Sequence, residues 1–558
     1  MLVCVRSVFW MLTSSLVFGA GFAAEGFIPR RAIAAEEIRL LVGGPLTLSV
    51  SVDSLETFAA TGEVSDDMRL FTRFANEEAL AGFRQALQAD VPLTVQQVDN
   101  LGHSTFGEDI LRNVGKVVRP HPSLNGDRAL RAAAVRAAAE ARASNVARWT
   151  PLDVLKHYPS KTIDIRWRDL QEIRRFVSAY IREREQAIAA IQNQAALESN
   201  HQAPLTQDLS APGPYAFDKS TIALFRETER QTSLGIRPSY SFDTDVYVPR
   251  GLGTPAPVVI VSHGFSDTKE NLSSLGRHLA SHGFVVLLPD HIGSNLKFRL
   301  DYTEGRLETA MSPSEYISRP QEISYLIDWL EEGDASVLTT KVDLNRIGMM
   351  GHSLGAATAY SLAGAELNFE RIASDCEKAS VQINPASYLQ CQARFLPAQP
   401  YDLQDSRIKA ILSANGISSV LFGPEALSQI EIPVLMASAI DDVVAPALIE
   451  QIRPFSQLGS QEKYLAVMTE ASHFSFISEE DSDIVSPLNQ PGAEALAAIV
   501  LGGYREVGSE YMEALNLAFW KVHLEGDNSY LPYLSDRYTQ QLSANQIPAL
   551  TMVQNVQK

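Results

Sequence analysis

The pentapeptide Gly351-His352-Ser353-Leu354-Gly355 limits the fold more than any other stretch of the 558-residue chain. It follows an apolar run, Arg346-Ile-Gly-Met-Met, and precedes a run of small residues, Ala356-Ala-Thr-Ala-Tyr-Ser-Leu-Ala. The first run reads as a strand and the second as a helix, so the pentapeptide must turn one into the other. A serine at such a turn takes strained dihedrals, and glycines two positions away on each side let the two backbones come close. The serine oxygen then stands above the sheet edge, with the positive end of a helix beneath it.

The surrounding sequence supplies the rest of such a sheet. Tyr240, Phe242, Val246 and Val248 alternate with polar residues as a half-buried strand does, whereas Val258-Val-Ile-Val261 and Phe284-Val-Val-Leu-Leu288 are unbroken apolar runs. Unbroken runs suit parallel strands covered on both faces. Between them lies a helix with Leu272, Leu275 and Leu279, for which Asp267 or Thr268 is a cap, and a second helix carries Ile323, Leu326, Ile327 and Leu330. Further strands are expected over 408–412, 433–437 and 463–468. Strands alternating with helices predict an α/β class, a doubly wound and mostly parallel sheet.

A single hydrophobic core stops growing at roughly 250 to 300 residues, so this chain should divide. Residues 36–196 read as a mainly helical unit. Asp66 and Asp67 are expected to cap a helix bearing Leu70, Phe71, Phe74 and Leu80; Asp127 opens an Ala- and Arg-rich helix through Trp149; and Leu170, Ile173, Phe176, Val177, Tyr180 and Ile181 form an amphipathic stripe. Residues 197–214 have the Asn, Gln, Ser, Pro and Gly content of a linker, and 215–540 hold the sheet.

Ser353 needs a base, because an unassisted hydroxyl is a poor nucleophile at neutral pH. His473 follows the strand at 463–468, and a carboxylate to hold its ring is expected after the strand at 433–437. Asp441 and Asp442 both stand there; a likeness to hydrolases that place this acid four residues before a proline, here Pro446, implies Asp442, and Asp441 is the alternative, with capping of the following turn as its other role. The order Ser, Asp, His is one of three known chain orders for such a triad. An oxyanion needs two N–H donors, assigned to Leu354, after the nucleophile, and Phe265, in the loop Ser262-His-Gly-Phe-Ser, with Ser266 as the alternative. His263, His291 and His352 are read as structural or rim residues. No metal-ligand spacing or phosphate loop occurs, so neither a metal nor an organic cofactor is expected.

A formal net charge of −19 argues against a nucleic-acid partner, which needs clustered Lys and Arg, and allows at most transient contact with a membrane surface. Residues 1–24 have the pattern of an export signal: Arg6, then an apolar stretch, then small residues at Ala23 and Ala24, with cleavage after Ala34 as the alternative. Export to a periplasm, a lumen or the medium would remove Cys4 and leave Cys376 and Cys391, a pair that an oxidising compartment would bridge.

Ser262-His-Gly-Phe, Leu288-Pro-Asp-His-Ile-Gly-Ser-Asn, Ser318-Arg-Pro, Gly351-His-Ser-Leu-Gly, Asp442-Val-Val-Ala-Pro and Ala471-Ser-His-Phe together resemble the platelet-activating factor acetylhydrolase and dienelactone hydrolase-like branch of the α/β-hydrolase superfamily. The likeness runs from Tyr215 to about Gly526. It implies a serine esterase taking acetyl or short-acyl phospholipid esters, or another small or polymeric ester. A serine peptidase using the same triad, and a catalytically silent binding scaffold, are the rival readings. The front region is similar to a helical domain of unknown function that precedes such hydrolases in bacterial proteins; its partner is not implied. An insertion at about 366–406, which holds both cysteines, departs from the simple pattern and reads as a lid or cap.

Overall fold

The structure is a computed structural model that describes residues 34–479 and 501–554, apart from 44–45, 74, 145, 147, 199–204, 233–234, 334–336, 379–383 and 545. The export signal read over residues 1–24 lies outside the described residues. Among those described, no helix is long and apolar enough to cross a membrane.

The front unit is not purely helical. It carries a three-stranded sheet in which β1 (Glu37–Gly43) pairs antiparallel with β2 (Leu46–Ser51) and parallel with β3 (Thr162–Arg166). Asp164 of β3 is buried and accepts a fork from Arg39 of β1, at 2.7 and 2.9 Å, which ties the first strand to the last. The helices differ from expectation at their ends. Asp67 does not lead a helix through Leu80; its carboxylate accepts from Ser51 N at 2.9 Å and Ser54 Oγ at 2.9 Å, bracing the start of helix Val52–Thr61. Leu70 and Phe71 lie in a single turn of helix, Arg69–Thr72, and the longer helix is Glu77–Leu87, begun by Asn76, which accepts from Ala79 N at 2.9 Å, with Glu77 and Glu78 in the first turn. Asparagine followed by two acids is the stronger start signal. The helix from Asp127 ends at Ala143, and Trp149 is buried beyond it, in a bridge with Val91.

The second unit is built on nine strands. After β4 (Phe217–Arg226) and a small hairpin of β5 (Arg230–Thr232) and β6 (Gly235–Arg237) come β7 (Tyr240–Pro249), β8 (Ala256–Ser262), β9 (Val285–Pro289), β10 (Val342–His352), β11 (Ile408–Ala414), β12 (Val434–Ala439), β13 (Lys463–Met468) and β14 (Leu550–Val553). Their order is β14-β13-β12-β11-β10-β8-β9-β7-β4, with the six from β13 to β9 parallel. β4 and β14 are antiparallel edges absent from the sequence expectation, and β14 carries the sheet past residue 540. This is the α/β-hydrolase architecture, with a mainly helical unit in front of it.

The unbroken apolar runs arise because both faces are covered. Val258 and Ile260 of β8 join one core, with helices Glu315–Glu332 and Leu354–Leu362, while Val259 and Val261 join the opposite core, with helices Ser273–Ser281 and Arg505–His523. Period-2 geometry therefore needs an apolar residue at every position. Helix Ser273–Ser281 follows a 3-10 turn, Lys269–Leu272, and has no side-chain cap; Asp267 instead binds Thr268 N at 2.9 Å and the Asn271 amide. The described part of the segment read as a linker lies against this unit: Leu209 is buried and Gly213 N donates to Ser281 Oγ at 2.7 Å.

The chain reverses its winding between β8 and β10, and loops at their carboxyl ends flank the crevice that this reversal opens. The front unit sits over that edge. Tyr302 donates to Asn100 O at 3.2 Å, Arg394 binds Asp109 at 2.7 Å, Asn113 donates to Tyr388 Oη at 3.0 Å, and Arg184 pairs with Asp441 at 3.2 Å. Part of that seam belongs to the 366–406 insertion, whose helices Phe369–Lys378 and Pro385–Gln390 are joined through a Cys376–Cys391 disulfide. Buried Glu450 anchors it: the carboxylate accepts from Ser418 N at 2.7 Å, Ser419 N at 3.0 Å, Ser419 Oγ at 2.6 Å and Gln390 Nε2 at 2.8 Å, and from the Asn384 amide. So many donors offset the cost of burying the charge. A C376A/C391A variant loses a cross-link spanning 15 residues, worth about 3 kcal/mol by loop entropy. Its urea midpoint should fall accordingly under non-reducing conditions, and an unchanged midpoint would contradict this.

Candidate active site

Ser353 leaves β10 with φ 54° and ψ −114°, a left-handed conformation that costs a non-glycine residue of order 1–3 kcal/mol. Two glycines make the turn possible. A Cβ on Gly351 would lie 2.1 Å from the Gly355 carbonyl carbon, and one on Gly355 would lie 2.1 Å from Ser262 O, both backbone atoms that cannot step aside. Ser353 N is held by Ala414 O at 2.9 Å, so the strained peptide is anchored to the neighbouring strand.

Three distant side chains meet at this point. His473 Nδ1 donates to Asp442 Oδ2 at 2.6 Å, which leaves Nε2 to accept the Ser353 hydroxyl at 2.9 Å. The other oxygen of Asp442 accepts from Val444 N at 2.7 Å and Ala445 N at 2.8 Å, so the carboxylate is aimed by its own turn. Asp441 faces outward, is exposed, and pairs with Arg184 of helix Trp167–Glu198 rather than with the imidazole. All three of Ser353, Asp442 and His473 are buried, at 5, 4 and 2% exposure.

The two residues assigned as oxyanion donors border Ser353, Leu354 as its chain neighbour and Phe265 next to Gly264, whose loop lies against the serine. Leu354 opens its helix, where an N–H has no intrahelical acceptor. Phe265 N–H likewise has no hydrogen-bond acceptor among the described residues. Gly264 brings the Phe265 loop close, since a Cβ there would stand 3.2 Å from Ser353 Cβ. Ser266 does not fit the donor role: with φ 62°, its N–H is turned to Ser294 O at 2.7 Å.

The remaining histidines of this region are buried supports. His352 Nε2 donates to His473 O at 2.9 Å, and its ring lies 4.9 Å from that of His473; burial, then the neighbouring imidazole, push it below the usual histidine range. His291 is held far below that range by burial and then by Arg319, and stays neutral between Ser262 Oγ at 2.9 Å and Glu322 at 2.6 Å. His263 donates from Nδ1 to Gly264 O at 2.7 Å.

Sequence reading missed other supports. Asn415, with φ 45°, donates to His473 O at 2.8 Å and accepts from Ala439 N at 2.8 Å, fixing the histidine loop to β12. Its only signal was the turn dipeptide Asn415-Gly416. Tyr180, placed in a core stripe, reaches the core of the second unit as well. Burial, and further the Asp442 carboxylate, push its hydroxyl up to about 12, with Arg184 opposing. Among the described residues no cluster of His, Cys, Asp or Glu could hold a metal ion.

Comparison with known proteins agrees with this fold. A family model described as an alpha/beta hydrolase of unknown function (DUF1400) matches residues 34–166, and a chlorophyllase model matches residues 243–397. Cutinase 2 of Thermobifida cellulosilytica is 27% identical over 118 residues, 21% of this chain and 38% of that protein. Platelet-activating factor acetylhydrolase of Cavia porcellus is 26% identical over 151 residues, 22% of this chain and 35% of the relative. Chlorophyllase-1, chloroplastic, of Citrus sinensis is 28% identical over 120 residues, 21% and 31% respectively. The match therefore spans about a third of each relative.

Proposed function

We propose that this protein is a serine carboxylic-ester hydrolase working through an acyl-enzyme on Ser353. The observation that carries the reading is the hydrogen-bonded line from Asp442 through His473 to a serine in a strained turn. In this scheme Ser353 Oγ attacks the ester carbonyl carbon and its proton passes to His473 Nε2. The new oxyanion accepts from the N–H groups of Leu354 and Phe265, donors that are worth about 100- to 1000-fold in rate apiece. When the intermediate collapses, the C–O bond breaks and Nε2 gives the proton to the leaving alcohol. Water then loses a proton to Nε2, adds to the acyl carbon, and releases the carboxylic acid as Ser353 regains its proton. Asp442 keeps Nδ1 protonated and steadies the imidazolium in both halves.

The favoured substrate class is a small or lipid-like ester, with acetyl or short-acyl phospholipids foremost. Two observations support it. Ser353 is almost fully covered, and the front unit and the insertion crowd the edge above it, so a slender acyl group is admitted more readily than a polymer. One relative is named as a platelet-activating factor acetylhydrolase. A cutin-like polyester is the second reading, favoured by relatives named as cutinases. Aryl esters of rising acyl length separate them: kcat/KM should fall steeply beyond short chains, and a flat or rising profile would reject the short-acyl reading. An anilide series tests the peptidase alternative. If no ester turns over and an alkyl phosphonate leaves Ser353 unlabelled in folded protein, the hydrolase reading itself fails.

A further inference from the structure

We propose that Arg319 is the positioning residue of the oxyanion loop, gripping the carbonyls of His263 and Gly264 so that the Phe265 N–H is presented to the reacting centre. The inference rests on the hydrolase reading above. Arg319 lies on helix Glu315–Glu332 with no exposed surface. Its Nη1 donates to His263 O at 2.6 Å and its Nη2 to Gly264 O at 3.2 Å. Gly264 O and Phe265 N belong to one peptide, and in a trans peptide C=O and N–H point to opposite sides. Pinning the oxygen therefore aims the N–H. His263 Nδ1 supplies a second donor to the same oxygen at 2.7 Å, and the turn just beyond is locked by Ser266 N on Ser294 O. The Phe265 N–H is left without an acceptor of its own beside Ser353.

Electrostatics add to the aim. A guanidinium on the carbonyl oxygen polarises the peptide and strengthens its N–H as a donor, an effect of about 10–30% per bond in linked hydrogen bonds. The charge is held by a closed set of buried partners: Arg319 Nε lies 3.4 Å from Glu315, Arg230 bridges Glu315 at 2.5 Å and Glu322 at 3.0 Å, and Ser294 Oγ accepts from Arg319 at 2.7 and 3.0 Å. Two buried cations and two buried carboxylates bring little net stability, because desolvation cancels most of their attraction. Such a network is better explained by what it positions than by what it stabilises.

The test uses full-length Arg319→Gln and Arg319→Lys, normalised to active sites titrated with an alkyl phosphonate. Removing a hydrogen-bond donor from an oxyanion hole directly costs about 100- to 1000-fold, so loosening one through its support should lower kcat about 10- to 100-fold in Arg319→Gln. KM should stay within about threefold, and the midpoint of the pH–rate profile should not move, since the triad is untouched. Affinity for a trifluoromethyl ketone, whose hemiketal oxygen occupies the hole, should fall in parallel with kcat. Arg319→Lys retains the charge but not the fork and should recover part of the loss. If Arg319→Gln does not fold, Ser294→Ala carries the test, with a loss of at least threefold in both kcat and ketone affinity. Equal activity and ketone affinity in the variants and the parent would overturn the role of Arg319. A parent that neither hydrolyses esters nor binds the ketone would instead overturn the hydrolase reading.

Discussion

Ser353→Ala should lower kcat/KM for a short-chain aryl ester by at least about a thousandfold, with residual turnover owed only to binding and the oxyanion donors. The size follows from the route of the reaction. Without Oγ there is no acyl-enzyme, and the His473 ring, 2 % exposed, has little room to activate a bulk water in its place. The fold should barely register the change. Ser353 gives up one hydrogen bond, from its hydroxyl to His473, worth about 1 kcal/mol, and alanine meets the same strain at φ 54° that serine does. Thermal denaturation beside steady-state kinetics checks both halves. Turnover retained within tenfold by a folded variant would refute a nucleophilic Ser353, and a collapse of stability would mean the hydroxyl is part of the scaffold.

The parts of this structure that the sequence made legible are those where one local rule had a single solution. Val258 to Val261 and Phe284 to Leu288 are apolar at every position, which only a strand covered on both faces requires, and they form β8 and β9. The Gly351 and Gly355 positions tolerate no side chain, so the turn between β10 and its helix was legible from five letters. Between Asp441 and Asp442 no local rule decides; the resemblance to hydrolases implied Asp442, and the structure directs Asp442 to the imidazole and Asp441 to Arg184. What stayed hidden depends on partners remote in the chain. β1 and β3 are stitched by Arg39 and Asp164, 125 residues apart, and a charged residue inside a strand hides the strand. β14 is four residues long and gains its meaning only from β13. Arg319 lies in the tripeptide Ser318-Arg-Pro, but that it reaches a loop 55 residues earlier is a property of the packed helix, not of the helix's own letters. Asn415 and Glu450 are hidden in the same way, as side chains whose acceptors or donors belong to other loops.

Acidification to about pH 5.5 should cost the fold several kcal/mol, well above the range where carboxylates titrate, because histidines are buried without charge. His278 is the clearest case: it is 6% exposed, its ring lies 4.7 Å from that of His282, and burial followed by that neighbour pushes it down to about 3. His291 and His352 are lowered as well, chiefly by burial. The sign follows from proton counting. An unfolded histidine takes a proton near pH 6.5, whereas these rings remain neutral in the fold, so the unfolded state binds more protons and stability falls as pH drops through 6.5. Across about pH 7.5 to 5.5 an unfolded ring carries on average about half a proton more, so each ring held well below that range removes about 1.4 kcal/mol. His278 and His523, pushed down by burial to about 3 and about 4, together remove about 3 kcal/mol. His282, His291 and His352 act in the same direction, and the His278 share continues to be lost down to about pH 3. Glu322, held up by burial against the pull of Arg230, opposes the trend by part of one proton. Against a total stability of about 5–15 kcal/mol, the loss is large. Urea midpoints measured across this range should fall steadily, and His278→Gln should remove about 1.4 kcal/mol of the fall. Midpoints that stay level from neutral pH to about 5.5 would mean these rings are charged or solvated in the fold.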